Sequence, residues 1–526
     1  MKQSLTQSMA WVHTWLGLVF GWLLFGVLLT GSLAVFHAEI TAWATPELSV
    51  RKNADRERAV EVALKHLDAT APDAKLWRIA LPSAREPFVG VTITTAEGKR
   101  LSHLLDPQTG EAVTHTVRGG KFFLDYHYEL LIPREENLIG FFVVGAAGLV
   151  MLLACISGIV IHKRFFRDFF TFRPKASGQR SWLDAHNVLS VLPLPFHIMM
   201  AYTGLMLLYW IYMPAAVHAI YAGDTPTFRR EALATEYQNT AVPPGGPARM
   251  LPLMDLIERA EQRLGDGKTW TVHVRNPNRS NAVVEVARTR TDIVSQQVPK
   301  IAFDAVTGRE LRALLDLGPV VQTQSVGAAL HFVEWGGPLV RWAYFLAGLA
   351  GAVSAAAGLF VFAAKREKKA LAQPRFYRVV HALNVAFVAG ISVACAAFMW
   401  AERLIPFAPG EQGGAHDVQV VRVFLLVWFA TFVHAFLQAP QRAWWQQWAA
   451  AAALCVALPL TGWMVGRPLV QTISNGDWLR AGVDLTGIAI GVGCAVLAIH
   501  LERRERMRPE SDGKQARNDM PAPAID

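Results

Sequence analysis

A chain of 526 residues that is 52% hydrophobic and 18% charged, with a mean hydropathy of +0.25, is unlike a soluble protein; about a quarter of a soluble protein's residues are charged. The net charge of +9 is gathered beside apolar runs, so it reports membrane topology rather than a nucleic-acid partner. All four cysteines (Cys155, Cys395, Cys455, Cys494) fall inside apolar runs and C-x-x-C-H is absent, which argues against a disulfide framework and covalent haem attachment.

In chain order, apolar blocks of roughly 20 residues, enough helix to cross about 30 Å of hydrocarbon, recur at about 13–36, 138–161, 184–212, 338–363, 376–400, 418–438, 445–466 and 480–501. The first is too long for a signal peptide's apolar core and is expected to be a retained span within residues 1–37. In the hydrophilic segment 38–137, DRERAVEVALKHL has helical periodicity, and LWRIALP, PFVGVTIT and KRLSHLLDPQTGEAV read as strands. The second span, 138–161, leads to a connector, 162–183, whose Lys163, Arg164, Arg167, Arg173, Lys175 and Arg180 belong on the cytoplasmic side.

After the third span, 184–213, the segment 214–337 repeats the order: MLPLMDLIERAEQRL, then TWTVHVRN, NAVVEVAR and KIAFDAVTGREL. Both segments close on an Asp followed three residues later by Thr-Gly, the chemistry of a hairpin whose glycine takes positive φ. The fourth span, 338–363, ends at Lys365, Arg366, Lys368 and Lys369, and 364–502 adds four more spans. Arg503, Arg504 and Arg506 open a tail, 503–526, expected to be disordered. This charge pattern puts both termini inside and both hydrophilic segments outside.

The repeat extends into the membrane. HTWLGLVFGWLLFGVLLTG (13–31) aligns without a gap on HNVLSVLPLPFHIMMAYTG (186–204), histidine first and Thr-Gly last, with 17 residues from His to Thr each time. His127 to Gly158 aligns on His331 to Gly358 with a four-residue gap. The expected fold is a polytopic α-helical membrane protein of about eight spans, with two outward α+β domains and a duplicated helix–domain–helix unit.

The duplication sorts the 16 histidines. His13 and His186 start outward-going spans, and His127 and His331 precede inward-going ones. A pseudo-twofold axis along the membrane normal would bring each couple face to face, as the axial positions of a six-coordinate haem iron require. Helix capping and zinc binding are the competing uses, but zinc would ask for three or four ligands and few are nearby. His162 and His197 have no duplicate; Phe362 and Leu24 hold the aligned positions. His162, beside Lys163 and Arg164, could join the inner site, hold a haem propionate, or be only interfacial. His197 lies 11 residues past His186, about 16 Å along nearly the same face of a straight helix, and an intramembrane ionisable group is a functional candidate. Arg134 and Arg341, near His127 and His331 in sequence, could attract propionates or an anionic chelate, or simply be solvated.

These features resemble the PepSY-associated transmembrane family of bacterial inner-membrane proteins. The resemblance rests on HTWLGLVFGWLLFGVLLTG, GIVIHKRFFRDFFTFRP, GQRSWLDAHNVLSVLPLPFHIMMAYTG and LHFVEWGGPLVR, with the hydrophilic segments resembling PepSY modules, and it covers residues 1–364. It implies two periplasmic domains and a link to siderophore-mediated iron uptake, some members being haem-containing reductases of ferric siderophores. It also implies that His13, His127, His186 and His331 occupy the family's recurrent histidine positions. Relatives often carry another histidine four residues after the one in HYEL; Leu131 stands there in this chain.

The expected function is therefore a transmembrane electron conduit with two non-covalent b haems. A cytoplasmic or quinol donor would feed the inner haem, and the outer haem would reduce a ferric siderophore or other ferric chelate. Hard oxygen donors hold ferrous iron less tightly, so reduction releases it. No strand-linked G-x-G-x-x-G, H-E-x-x-H or G-x-S-x-G occurs, and GDGKT at 265–269 has Gln262 where a P-loop's first glycine belongs. The rivals are a PepSY-type binding or regulatory membrane protein, and a transporter of siderophore or iron built from duplicated halves, for which Asp484 would be the best intramembrane carboxylate.

Overall fold

The computed structural model describes residues 4–45, 55–113, 117–132, 137–162, 173, 178–225, 227–228, 244–366, 373–407 and 414–507. Among these, six helices are long and apolar enough to cross a membrane: Leu5–Ala34, Ile139–Ile161, Pro338–Lys365, Pro374–Leu404, Gly414–Leu437 and Trp478–Arg506. Gly178–Val191 and Leu194–Leu207, bent by 65°, make a seventh if they count as one crossing. The first span starts at Leu5, earlier than expected, because Ser4 and Gln7 form a capping box there.

The sequence predicts eight spans, and the block at 445–466 is the one that differs. It divides into Pro440–Val456 and Leu460–Met464 around Pro459, whose missing N–H interrupts the hydrogen-bond ladder. The 17-residue piece covers only about 26 Å. Pro193 and Pro195 break the third span similarly, so His186 and His197 do not share the face of one straight helix.

The duplicated spans close a ring. The first packs on the second and the fourth, Gly178–Val191 lies on the fourth, and Leu194–Leu207 lies on the second. The C-terminal extension packs against this ring through Pro374–Leu404, which carries a π turn at Ala386–Gly390, and through Trp478–Arg506, which meets the short helix His37–Ala44.

The two hydrophilic segments form one body. Strands β1 (Leu76–Ala80), β2 (Val89–Thr94), β3 (Arg100–Leu105), β4 (Thr269–Arg275), β5 (Val283–Arg288), β6 (Lys300–Asp304) and β7 (Glu310–Leu314) make a single antiparallel sheet in the order β3-β2-β1-β4-β5-β6-β7. The expected two domains fuse where β1 pairs β4, from Leu76↔Arg275 to Ala80↔Thr271. Pairing the repeats removes an exposed strand edge from each. Helices Arg56–Thr70 and Leu253–Leu264 share one core with it, in which Trp77, Ile79, Leu256 and Val272 are fully buried. The hairpin signature forms as its chemistry dictates: Asp106 and Asp304 accept backbone N–H groups of Thr109 and Thr307, and Gly110 and Gly308 take φ of 77° and 73°.

Candidate functional site

The ring of spans brings the duplicated histidines together two by two. The ring centroids of His13 and His186 lie 6.0 Å apart with planes at 75°, and those of His127 and His331 lie 6.1 Å apart at 38°. An imidazole nitrogen binds a first-row metal at about 2 Å, with its ring centre about 1 Å further back, so two ligands on opposite sides of one ion stand about 6 Å apart.

Each ring is oriented through Nδ1. His186 Nδ1 donates to the Ser354 carbonyl at 2.9 Å and His127 Nδ1 to the Val27 carbonyl at 2.8 Å. His13 Nδ1 is 3.0 Å from Ser157 Oγ, whose own proton goes to the Leu153 carbonyl. His331 Nδ1 is 3.0 Å from Thr203 Oγ1, whose proton goes to the Met199 carbonyl. Carbonyls and committed hydroxyls accept, so all four rings carry hydrogen on Nδ1 and expose a bare Nε2, the tautomer of a metal ligand.

Glycines make room for the rings. A Cβ on Gly31 would come within 2.5 Å of His127, and one on its repeat, Gly204, within 3.1 Å of His331. A Cβ on Gly158 would come within 3.6 Å of His13, and one on its repeat, Gly358, within 3.4 Å of His186. The recurring Thr-Gly thus serves the partner site. In span three Thr203 holds a ring and Gly204 accommodates it; in span one Thr30 bonds its own helix and the Val27 carbonyl does the holding. The roles of Ser157, Ser354 and the glycines are not visible in the sequence pattern: the glycines repeat, but Ser157 aligns with Ala357 and Ser354 with Ala154.

The other candidates fall elsewhere. His162 caps the second span one turn beyond Gly158, the glycine beside His13. His197 is buried with Nε2 3.1 Å from the Ala347 carbonyl, so that nitrogen is already engaged. Arg341 lies 3.8 Å from Glu39, which Arg85 binds in bidentate fashion, at the end of a cavity rather than on a histidine pair. Arg134 lies outside the described residues, as do Lys163, Arg164, Arg167, Lys175 and the tail beyond Met507. Leu131 follows the end of helix Lys121–Glu129 with φ of 61°, so a side chain there is not stacked a turn above His127. His434 bonds Gln446 and Gln447. Asp484, the carboxylate the transporter reading would use, is fully buried and accepts from Trp43 Nε1 at 2.7 Å. Arg403 lies over the Trp43 ring at 3.6 Å and donates to the Trp43 carbonyl, clasping the extension to His37–Ala44.

This framework of duplicated spans and facing histidines coincides with the PepSY-associated TM region, whose family model matches residues 10–365. The chain belongs to that family. The match ends where the extension begins, so helices from Pro374 onward are an addition to the PepSY-associated core. The chain is also similar to the uncharacterized protein PA4219 of Pseudomonas aeruginosa, 24% identical over 344 residues, which are 59% of this chain and 79% of that protein.

Proposed function

We propose that this multi-pass membrane protein holds two haem groups, one between His13 and His186 and one between His127 and His331. Through them it passes electrons across a bacterial inner membrane to reduce a ferric chelate, such as a ferric siderophore, on the sheet side. On this reading the sheet is periplasmic and both termini are cytoplasmic, as the basic connectors require, with the broken segment 440–464 serving as the eighth crossing. The observation that carries the reading is the pairing itself: two imidazoles per site with ring centroids 6.0 and 6.1 Å apart, each oriented through Nδ1.

Among the described residues no group of three or more His, Cys, Asp or Glu side chains could hold a metal ion. Two imidazoles per site, with no further protein donor beside them among the described residues, would hold an iron whose other donors come from a porphyrin. Bound haem supplies a reversible one-electron couple. The chain fixes the ring orientation through the Nδ1 partners, admits the rings through the glycines and keeps water away with apolar spans. His127 meets Val27, 14 residues beyond His13 on the first span, so the two levels are about 21 Å apart.

Purified protein made with ample haem supply should show b-type bands in a dithionite-reduced minus oxidised spectrum. His127→Ala or His331→Ala should remove about half the haem, and His13→Ala or His186→Ala the other half. Equal haem in all four variants would refute the site assignment. A colourless protein would favour a binding module, and vesicle uptake of chelate without redox change would favour a transporter.

A further inference from the structure

A cavity of about 1730 Å³ opens between the ring of spans and the extension. Along the last helix it is lined from Trp478 to Leu501, about 34 Å at 1.5 Å per residue, the depth of a bilayer core. Its charged lining residues, Glu39, Arg56 and Arg341, lie at the sheet end. The other end is aromatic and aliphatic, with two hydrogen-bonding side chains, His381 and Asn384. Asn384 is 1% exposed and its Oδ1 accepts from Trp22 Nε1 at 2.8 Å, which leaves the amide N–H₂ group to serve the cavity.

That end adjoins a histidine pair. Trp182, one helical turn before His186, lines it and meets Phe360 at 4.7 Å, and Phe360 meets Trp444 at 5.3 Å. Phe360 lies two residues beyond Gly358, the glycine under the His186 ring.

We propose that this cavity binds an isoprenoid hydroquinone, head at His381 and Asn384 and tail along the apolar length, as electron donor to the His13–His186 pair. The donor role rests on the haem reading above. A hydroquinone is uncharged, and its hydroxyls ask for a donor and an acceptor, which an imidazole and an amide provide. A phospholipid headgroup would ask for cations, and those line the opposite end. The sequence also lacks a nucleotide-binding fingerprint, so a lipid-soluble reductant suits it. Oxidation breaks both O–H bonds of the hydroquinone. Two electrons leave singly toward the histidine pair, ending on two ferric ions that become ferrous, and two protons leave to water by way of His381.

The test is titration of the full-length protein in detergent with decylubiquinone, followed by tryptophan fluorescence, because Trp182, Trp444 and Trp448 line the cavity. Saturable quenching is expected, with a quinone in the organic extract of the purified protein. Gly493 lines the cavity and a Cβ there meets no atom within 4 Å, so Gly493→Phe fills space without displacing packing. It should weaken binding at least about tenfold, and Asn384→Leu about threefold to tenfold, with haem content unchanged in both. No saturable quenching in the wild type, quenching indifferent to Gly493→Phe, or an extract holding phospholipid alone would overturn the site. A colourless protein that binds quinone keeps the site and removes the haem reading; a haem-loaded protein that does not bind it overturns the site alone.

Discussion

The two histidine pairs reach the same separation by different means. His13 and His186 belong to spans and lean on the second and fourth spans, at Ser157 and Ser354. His127 and His331 stand on short helices outside the spans, Lys121–Glu129 and Pro319–Phe332, and lean on the first and third spans, at Val27 and Thr203. A span that gives a histidine to one pair therefore gives the support for the other. This accounts for the constant spacing from His to Thr-Gly: it sets the glycine that makes room for a ring of one pair, Gly31 or Gly204, relative to the histidine of the other, along a continuous helix in the first span and across a 65° bend in the third. A one-residue insertion between them would turn the cradle by about 100°, so selection on one site constrains the second.

The largest effect should come from removing a ligand. His186→Ala should empty its own pair and leave the spectrum of the His127–His331 pair unchanged, since Gly178–Val191 contributes nothing to that site. A loss at both would show that the ring of spans depends on the ligand to close. Next come the cradles. Gly31→Ala places a methyl 2.5 Å from His127 Nδ1, whereas Gly204→Ala places one 3.1 Å from His331 Cε1. The first should cost most of the haem at that pair and the second only part of it, read from the same difference spectrum.

Smaller again is the loss of an Nδ1 partner. Thr203→Val leaves His331 Nδ1 without its acceptor, and such outer partners are worth about tenfold or more in metal affinity. The matching change at Thr30 should do little, because His127 uses the Val27 carbonyl instead. Ring orientation offers a spectroscopic separation of the sites: planes crossed at 75° would leave the dπ orbitals of a bound haem iron nearer degeneracy than planes at 38°. The His13–His186 site should therefore give the more anisotropic low-spin ferric EPR signal.

Much of this was legible in the sequence because duplication doubles each signal. The couples His13/His186 and His127/His331 followed from aligning the halves, and the hairpins followed from Asp106 and Asp304 with their glycines. What stayed hidden depends on contacts between elements. Edge pairing of β1 with β4 is set by shared burial rather than by local pattern. The bend before Leu194 was marked by Pro193 and Pro195, yet the apolar run read through it. The clasp of Arg403 on Trp43 joins residues 360 positions apart, with no periodicity to announce it.

The smallest expected effect separates the pairs by their distance from the sheet. Glu261 joins the two repeats through Arg56 at 2.6 Å and accepts the backbone N–H of Thr269. Burial alone would raise its carboxyl, but the Arg56 and Thr269 hydrogen bonds outweigh that and hold it at about 2. A depressed folded value means the stabilisation is complete above the unfolded value, about 4.3, and is lost as pH falls from there through about 2. The stability difference between wild type and Glu261→Gln should accordingly be full at pH 6 and shrink below pH 4, as measured by hydrogen exchange of β4 amides. Ser295 and Gln297 of the sheet's β5–β6 loop bond Ser325 on the helix that carries His331. Loosening of the sheet by Glu261→Gln at pH 6 should then reach the His127–His331 spectrum slightly and the His13–His186 spectrum not at all. An equal response at both would mean that the sheet and the ring of spans behave as one cooperative unit.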